Sequence, residues 1–289
     1  MSNVNLLYID LFCGAGGTST GVTKARLFGK QCAKVVACVN HDANAIASHQ
    51  ANHPDTLHFT EDIRTLELSP LVAHLQKVQK KYPFVEFGVL LSYDWQENGN
   101  RFLDPLILSV LRGRGLNLSA HFCGQAAIDV AVGKKFKMEK LLGNNSRIFR
   151  RCQLNLNAER LFSELRRLAP IPYIDEVIIQ MHTPELCQQF LNGQRPRFAS
   201  YLLDASCGCG IDTPIQIITS PGVHIGYAGG IGPDNVAEKL RTLLEYPSDE
   251  IFWIDMETRV RTEDWFDLDK VEQVLEICDY LIKEYSPSK

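Results

Sequence analysis

Apolar and polar positions over the first eighty residues alternate between strand-like and helix-like patterns. Short apolar runs bounded by turn residues predict strands, and apolar residues recurring every three or four positions predict helices. The predicted elements are, in order, a strand at 6–12, a glycine-rich turn at 13–17, a helix from Thr18, a strand at 35–39, a helix at 43–52, a strand at 58–60 and a helix at 72–81. This order is typical of the first half of a doubly wound parallel sheet.

The pattern changes near Pro83, where longer strand–helix alternation begins. Strand-like runs are found at 85–92, 118–123, 152–156, 177–181, 200–204, 224–228 and 251–255. Helical periodicity is found at 159–168, 184–191, 235–244 and 268–284. Strands that alternate with helices indicate parallel strand–helix units. We therefore predict an α/β protein of two domains, a half sheet at 1–82 and a TIM-type (β/α) barrel with seven recognisable strands at 83–289.

Composition is that of an ordinary globular protein. The chain has 289 residues, of which 45% are hydrophobic and 22% charged, and its formal net charge is −4. This net charge does not indicate the basic surface that phosphate contacts require in nucleic-acid-binding proteins. We find no apolar run of the length that spans a bilayer and no signal peptide, so we expect a cytoplasmic protein without a membrane partner.

The nine cysteines do not fall into a metal-binding motif. Cys207 and Cys209 form a C-x-C pair in a predicted loop, but no C-x-x-C pair and no Cys/His set at zinc spacing occurs. The sequence therefore predicts reduced thiols and no metal site.

The glycine-rich turn carries the most specific signal in the chain. Residues 10–21 read DLFCGAGGTSTG, and glycines between a strand and a helix let a ligand approach the backbone and the free N–H groups of the helix. The string resembles the first motif of the DNA cytosine-5 methyltransferases. VNHD at 39–42 resembles their second motif, and Asp62-Ile63 resembles their third.

This resemblance implies a Rossmann-like half sheet that binds S-adenosylmethionine, with DNA as a partner. Asn40 stands where the family has an acid for the ribose hydroxyls, and Asp42 follows two positions later. The implied cofactor-binding residues are Phe12, Cys13, Gly14, Gly16, Gly17, Asn40, Asp42, Asp62 and Ile63.

The catalytic part of that family's pattern is absent from the sequence. Its nucleophile lies in a Pro-Cys dipeptide, and the chain contains neither this dipeptide nor the Glu-Asn-Val string of the assisting acid. Cys187, which precedes Gln188 on a predicted helix, is only remotely similar to the motif of this nucleophile. We therefore expect no methylation by this chain alone.

Three strings in the second part resemble phosphoribosylanthranilate isomerase. HFCG at 121–124 resembles the strand end of its general base, and LLD at 202–204 resembles the strand of its general acid. AGGIGPDNV at 228–236 resembles its phosphate loop. The resemblance implies catalysis by Cys123 and Asp204 and phosphate binding by Gly229, Gly230 and Asn235, the last of which is also placed to cap the following helix.

The second resemblance has departures and open alternatives. Glu257, near the last strand, would repel a phosphate, whereas Arg259 and Arg261 could attract one. A cysteine at a strand end is also common as a small core residue, and His121 also fits a place in the core. Polar residues that alternate along two predicted strands are expected to line the barrel mouth; these are Gln153, Asn155, Gln180 and His182.

Three functions compete at this point. The first is a DNA cytosine-5 methyltransferase-family protein that binds S-adenosylmethionine without catalysing methylation alone. The second is an isomerase-like barrel enzyme that acts on a small phosphorylated sugar. The third is a rearranged fusion, joined near residues 82–86, without an integrated function.

Overall fold

The chain folds into two compact units, Met1–Pro70 and Leu71–Lys289, called unit 1 and unit 2 below. The computed structural model describes residues 6–11, 13–27, 29–40, 42–60, 69–95, 102–103, 105–206, 209–247, 250–262 and 265–285. Within these residues, no helix has both the length and the apolar character that crossing a membrane requires.

Unit 1 is built on a sheet of three parallel strands with two helices. Its elements are β1 (Leu6–Leu11), α1 (Gly17–Lys24), β2 (Arg26–Leu27), β3 (Lys30–Gln31), β4 (Ala33–Asn40), α2 (Ala43–Asn52) and β5 (Leu57–Thr60). The strand order is β1-β4-β5, and both pairs are parallel. The two short strands between α1 and β4 form an antiparallel hairpin that the sequence pattern did not indicate. That unit 1 is half of a doubly wound cofactor-binding sheet stays a prediction.

Local sequence explains where the helices of unit 1 begin. Gly16, the residue before α1, has a φ of 92°, which glycine adopts without strain. Asp42 precedes α2, and its carboxylate accepts a hydrogen bond from the backbone of Asn44 at 2.8 Å. This is an N-cap, in which a side-chain oxygen satisfies a free N–H of the first turn.

Unit 2 is built on a single sheet of seven parallel strands in chain order. Its strands are β6 (Phe87–Leu91), β7 (Leu118–Cys123), β8 (Arg151–Asn155), β9 (Glu176–Met181), β10 (Ala199–Leu203), β11 (Ile225–Tyr227) and β12 (Phe252–Ile254), followed by the hairpin β13 (Arg261–Thr262) and β14 (Trp265–Phe266). Its helices are α3 (Ser69–Lys81), α4 (Leu108–Leu111), α5 (Gln125–Ala131), α6 (Lys135–Leu142), α7 (Phe162–Arg166), α8 (Pro184–Leu191), α9 (Val236–Leu244) and α10 (Leu268–Tyr285).

The two faces of this sheet differ in polarity. One face packs into the main hydrophobic core with the helices; its strand residues include Ala120, Phe122, Leu154, Ile179, Tyr201 and Tyr227. Because side chains alternate between faces along a strand, the intervening residues share the opposite face. Most of them are polar, including Ser119, His121, Cys123, Arg151, Gln153, Asn155, Glu176, Gln180 and Ser200.

Contacts across the polar face show that the sheet is curled. The guanidinium of Arg151 on β8 lies 4.8 Å from the ring centroid of Trp253 on β12. Strands β8 and β12 are four positions apart, which in a flat sheet is roughly 19 Å at the usual strand spacing. The polar face is therefore the concave, inner face.

The curled sheet is a half-barrel rather than the closed TIM-type barrel that the sequence pattern predicts. Strands β6 and β12 form its two edges and are not paired with each other in the part of unit 2 that the structure describes. Helices α3 and α10 pack together against both edges: Val78 of α3 and Val274 of α10 share a core cluster that Phe87 and Phe252 contact. These helices cover the outer side of the gap where an eighth strand would lie.

This packing bears on the boundary between the units. The sequence pattern placed the helix over 72–81 with the first domain, which was predicted to end at 82. In the structure α3 belongs with the core of unit 2, and the compact units divide between Pro70 and Leu71. The apolar face of α3, which includes Val78, and the buried Tyr82 just after it decide this assignment, because their packing partners lie at the far end of the chain.

Candidate functional site

Four polar side chains from consecutive strands meet where those strands end. Cys123 is the last residue of β7, Asn155 the last of β8, Gln180 the penultimate residue of β9, and Asp204 follows β10. We call these four residues the strand-end cluster. Because the strands are parallel, their ends lie at the same edge of the sheet, which is where active sites occur in barrels of this kind.

Within the cluster, Cys123 is held by an amide. Asn155 Nδ2 donates to Cys123 Sγ at 3.3 Å, and Gln153 Nε2 donates to Asn155 Oδ1 at 2.9 Å. Cys123 is buried, with 9% of its surface exposed. The amide pair fixes the position of the sulfur on the concave face.

Asp204 is also buried and strongly bonded. Gln180 Nε2 donates to Asp204 Oδ2 at 2.7 Å, and the Ser206 hydroxyl donates to Oδ1 at 2.7 Å. The Ser206 backbone N–H donates to the same oxygen at 3.1 Å. Only 4% of Asp204 is exposed, so the carboxylate is enclosed by these donors and its neighbours.

Asp255, which directly follows β12, also lies at this end of the sheet and is not among the site residues predicted from the sequence. Gln153 Nε2 donates to Asp255 Oδ2 at 3.4 Å. Burial lowers the pKa of the neighbouring His121, an effect that the Asp255 carboxylate opposes and Arg151 increases. Its position as the last residue of the strand predicted at 251–255 was the available signal for Asp255.

A separate charged network fills the opposite end of the concave face. Arg151 pairs with Glu86 at 3.2 Å and with Glu176 at 2.8 Å. Burial raises the pKa of Glu86, and the Arg151 guanidinium counteracts this shift. Ser200 donates to Glu176 as well. This network occupies the N-terminal end of the strands.

The predicted phosphate loop follows β11, but its glycines have close neighbours. Gly229 and Gly230 have φ values of 119° and 62°. A Cβ at Gly229 would lie 2.1 Å from Thr213 Oγ1, and one at Gly230 would lie 2.6 Å from the backbone of Asp212. Both glycines therefore allow the segment before Pro214 to lie against this turn.

Asn235 does not cap α9 with its side chain, so the prediction of a side-chain cap there is wrong. Its Oδ1 accepts from the Gly232 backbone at 2.9 Å, and its Nδ2 donates to the Gly230 carbonyl at 2.8 Å. These two bonds of the Asn235 side chain hold the glycine turn closed. Because its amide is bonded to groups of the loop, it does not bond the free N–H groups at the start of α9.

Asp212 is surrounded by three positively charged or N–H-bearing side chains beside the predicted phosphate loop. Lys239 Nζ lies 2.7 Å from Asp212 Oδ1, and Asn235 Nδ2 donates to Oδ2 at 2.9 Å. The Arg259 guanidinium lies 3.7 Å from the same carboxylate. Hydrogen bonds from Lys239 and Asn235 hold the pKa of Asp212 below its usual value. Sequence reasoning missed Asp212 and Lys239, although Lys239 lies one helical turn after Asn235.

The two arginines expected to attract a phosphate are both paired. Arg259 also contacts Asp234, and Arg261 contacts Glu257 at 3.2 Å, four residues away in the chain. Glu257 therefore pairs with Arg261, a residue close to it in the chain. An added phosphate would compete with these carboxylates.

In unit 1, several of the predicted cofactor residues serve local structure. Asp42 caps α2, and its backbone N–H donates to Asn40 Oδ1 at 2.9 Å. A Cβ at Gly16 would lie 2.9 Å from the His53 ring, whereas one at Gly14 or Gly17 would meet no described atom within 4 Å. The predicted cofactor residues Phe12, Asp62 and Ile63 lie outside the described residues.

Cys13, the remaining predicted cofactor residue, lies beside Cys38 and His49 in a buried group. One potential ligand atom from each lies within 4.8 Å of the others. Burial raises the pKa of the Cys38 thiol to about 12, and the adjacent Cys13 adds to the shift. Burial lowers the pKa of His49. The sequence predicted no metal site, because these residues come from three separate elements.

The fold and the strand-end cluster define unit 2 as an α/β unit with a curled parallel sheet and a polar concave face. No protein-family model matches the chain, and no curated protein matches it. Among solved structures, phosphoribosyl anthranilate isomerase from Thermus thermophilus is similar, with 16% identity and a TM-score of 0.48 over 74% of this chain and 95% of that chain. A similarity of this size carries no argument about chemistry. None of these comparisons supports the resemblance to DNA methyltransferases.

Proposed function

We propose that unit 2 is an acid–base enzyme of the isomerase type that acts on a small phosphorylated sugar at the end of its strands. The observation that carries this proposal is the strand-end cluster, in which Cys123 and Asp204 are each held by an amide from a neighbouring strand. Buried polar groups are costly unless they are bonded, so a polar concave face is maintained only where it is satisfied or used.

The proposed reaction moves one proton between neighbouring substrate atoms. Cys123 acts as the base that removes a proton from a carbon next to a carbonyl or imine, and Asp204 acts as the acid that donates one to the oxygen or nitrogen that gains charge. Asn155 orients the sulfur and Gln180 orients the carboxyl group. The carboxyl group would exchange its bonds from Ser206 for one to the substrate.

The phosphate of such a substrate has a candidate position beside Gly229 and Gly230. Lys239, Asn235 and Arg259 supply positive charge and N–H donors there, and Asp212 now uses them. A doubly charged phosphate offers more acceptors than one carboxylate, so it can displace Asp212 from these donors.

Hydrogen exchange with solvent tests this function and identifies the substrate in the same experiment. The chain is incubated in D₂O with a panel of aldose and ketose phosphates that includes phosphoribosylanthranilate, and deuterium at sugar carbons is measured by mass spectrometry. We expect incorporation into one member, and about 100-fold less with Cys123→Ser or Asp204→Asn. No incorporation with any member would refute the proposal.

Matched controls separate chemistry from folding. Cys32→Ser removes a thiol of unit 1, and Asp279→Asn removes a partly exposed carboxylate of α10 that pairs with Lys283. Both should exchange deuterium at the wild-type rate. If Cys123→Ser and Asp204→Asn also kept that rate while folded, the assignment of these two residues would be wrong.

A second candidate function is the binding of S-adenosylmethionine by unit 1. It is favoured by the turn between β1 and α1, where space is open beside Gly14 and Gly17 among the described residues. We expect heat on titration with millimolar cofactor, its loss in Gly17→Leu, and its retention in Gly21→Ala. No methyl transfer to DNA should follow, because the Pro-Cys dipeptide is absent. A folded sample that gives no heat would contradict this candidate.

A further inference from the structure

Unit 1 contains thiols and imidazoles gathered around one point. Cys13 lies in the turn between β1 and α1, Cys38 lies on β4, and His49 lies on α2. His49 Nδ1 lies 3.4 Å from Cys38 Sγ, and Cys13 Sγ completes a group within 4.8 Å. All three are buried, with exposed fractions of 5%, 0% and 0%. Their convergence comes from the parallel pairing of β1 with β4 and the packing of α2 on β4.

A fourth side chain approaches the same atom from β5. His58 Nε2 lies 3.0 Å from His49 Nδ1, so this nitrogen faces both a thiol and a second imidazole. Ligands of a tetrahedral zinc ion lie about 2.0–2.3 Å from the metal, which puts neighbouring ligand atoms roughly 3.3–3.8 Å apart. The 3.4 Å between His49 Nδ1 and Cys38 Sγ lies in this range, and the 3.0 Å between His49 Nδ1 and His58 Nε2 is shorter than it. We call Cys13, Cys38, His49 and His58 the thiol–imidazole cluster.

Hydrogen bonds behind the cluster fix which nitrogen of His49 is available. The Ser19 hydroxyl donates to Asp10 Oδ2 at 2.6 Å, so its proton is committed to that carboxylate. Ser19 Oγ then accepts from His49 Nε2 at 2.8 Å, which places the proton of a neutral imidazole on Nε2. The Nδ1 lone pair is left pointing into the cluster. A bonded second nitrogen is the usual support of a metal-binding histidine.

We propose that unit 1 binds one divalent transition-metal ion of the zinc type through Cys13, Cys38, His49 and His58. Two sulfurs and two nitrogens form a soft ligand set that selects zinc-like ions over magnesium or calcium. The ion would also supply stability to a small unit. Its described core cluster consists of Cys13, Cys38 and Ile46, which buries little apolar surface.

Cobalt titration of the full-length chain tests the site directly. The chain is reduced, freed of metal by a chelator, and titrated with Co²⁺ under a non-thiol reductant. We expect thiolate-to-cobalt absorption and the visible bands of tetrahedral Co²⁺ to saturate at one ion per chain, and Zn²⁺ to abolish both. Absence of these bands in a folded sample overturns the proposal, as does binding without a defined stoichiometry.

Variants distinguish a metal site from a packed cluster. Cys38→Ser and His49→Gln should weaken cobalt binding at least 100-fold, whereas Cys32→Ser should leave it unchanged. His58→Gln alters a side chain that is only partly buried, so it keeps the fold and isolates the fourth ligand. Ser19→Ala removes the bond that positions His49 and should weaken binding about 10- to 100-fold.

Two results would overturn the assignment even if some cobalt binds. One is affinity that stays at the wild-type level in folded His58→Gln and Cys38→Ser. The other is a Cys13–Cys38 disulfide in the chain as isolated, seen by mass spectrometry under non-reducing conditions, together with no metal binding after reduction.

Discussion

Asp212 occupies a position of high positive charge although half of its side chain is exposed. Its partners Lys239 and Arg259 are far less exposed, at 8% and 29% of their side chains. The Asp212 carboxylate therefore neutralises part of the positive charge of Lys239 and Arg259. An anion from solution that binds here must replace this internal one.

Replacement of Asp212 by Asn should destabilise unit 2 in a pH-dependent way. The pKa of Asp212 lies below its usual value in the folded chain, so the carboxylate stabilises the fold above that usual value. This contribution is lost as the pH falls through the lowered pKa. Because the group is exposed to solvent, we expect a loss below about 1 kcal/mol at pH 7.

Urea unfolding at a series of pH values measures the effect. The difference between the wild-type chain and Asp212→Asn should be largest near neutral pH, begin to close at about pH 4 and vanish below the lowered pKa. Asp279→Asn serves as a control for the loss of a carboxylate elsewhere. A difference that grows towards acid pH would contradict the assigned pairing.

Glycine is required at position 226, on the concave face, because the ring of Trp253 leaves no room for a side chain. A Cβ at this position would lie 2.2 Å from the indole of Trp253, which in turn stacks under Arg151. We expect Gly226→Ala to lower the free energy of unfolding by about 1–3 kcal/mol, because the ring has to shift within a packed face. The unfolding midpoint followed by tryptophan fluorescence measures this loss.

Gly21→Ala is the matched control for that substitution. Gly21 lies inside α1, and a Cβ there would meet no described atom within 4 Å. Alanine in a helix interior is favoured over glycine by about 1 kcal/mol, so this variant should be neutral or more stable. Equal losses in both variants would mean that the Trp253 contact does not set the requirement for glycine at position 226.

Helix α3 is joined to the end of the chain by both apolar and charged contacts. Val78 packs with Val274 of α10, and Lys81 pairs with Glu276 at 3.0 Å. Contacts between the beginning and the end of a sheet with two open edges hold its ends in place. The half-barrel therefore depends on a helix that precedes its first strand.

Val78→Ala tests this dependence. Val78 is 2% exposed, so truncation removes buried apolar surface and should cost about 2 kcal/mol of unfolding free energy. Leu71→Ala on the same helix is the control, since Leu71 is 41% exposed and should cost less than about 0.5 kcal/mol. If both variants unfold at the wild-type urea concentration, α3 is not part of the core of unit 2.

Sequence patterns located most of the elements because strand and helix periodicities are local. The runs predicted at 118–123 and 184–191 match β7 and α8. Helix α5 was missed because five of its seven residues are buried, so no polar face marks it as a helix. The boundary near residue 82 and the closure of the barrel depend on contacts between distant residues, which periodicity does not contain.

The candidate sites also contain parts that local sequence predicts and parts that depend on contacts between distant residues. Parallel strands place Cys123 and Asp204 at one edge, and this could be predicted from their positions at strand ends. Their amide partners could be predicted only as lining residues, because which side chains bond depends on the curl of the sheet. Asp212 and the thiol–imidazole cluster could not be predicted, since each brings together residues with no recognisable spacing.

The polar concave face of unit 2 also determines how its stability responds to temperature. Exposure of apolar surface raises the heat capacity on unfolding, whereas exposure of polar surface lowers it. The curled sheet places the buried Gln153 and the partly buried Arg151 and Glu176 where barrels usually bury branched apolar side chains. We expect calorimetry to give a heat-capacity change below the usual ~12–15 cal/mol/K per residue. A protein with such a core keeps a nearly constant stability between cold and warm conditions, because the curvature of its stability with temperature is small.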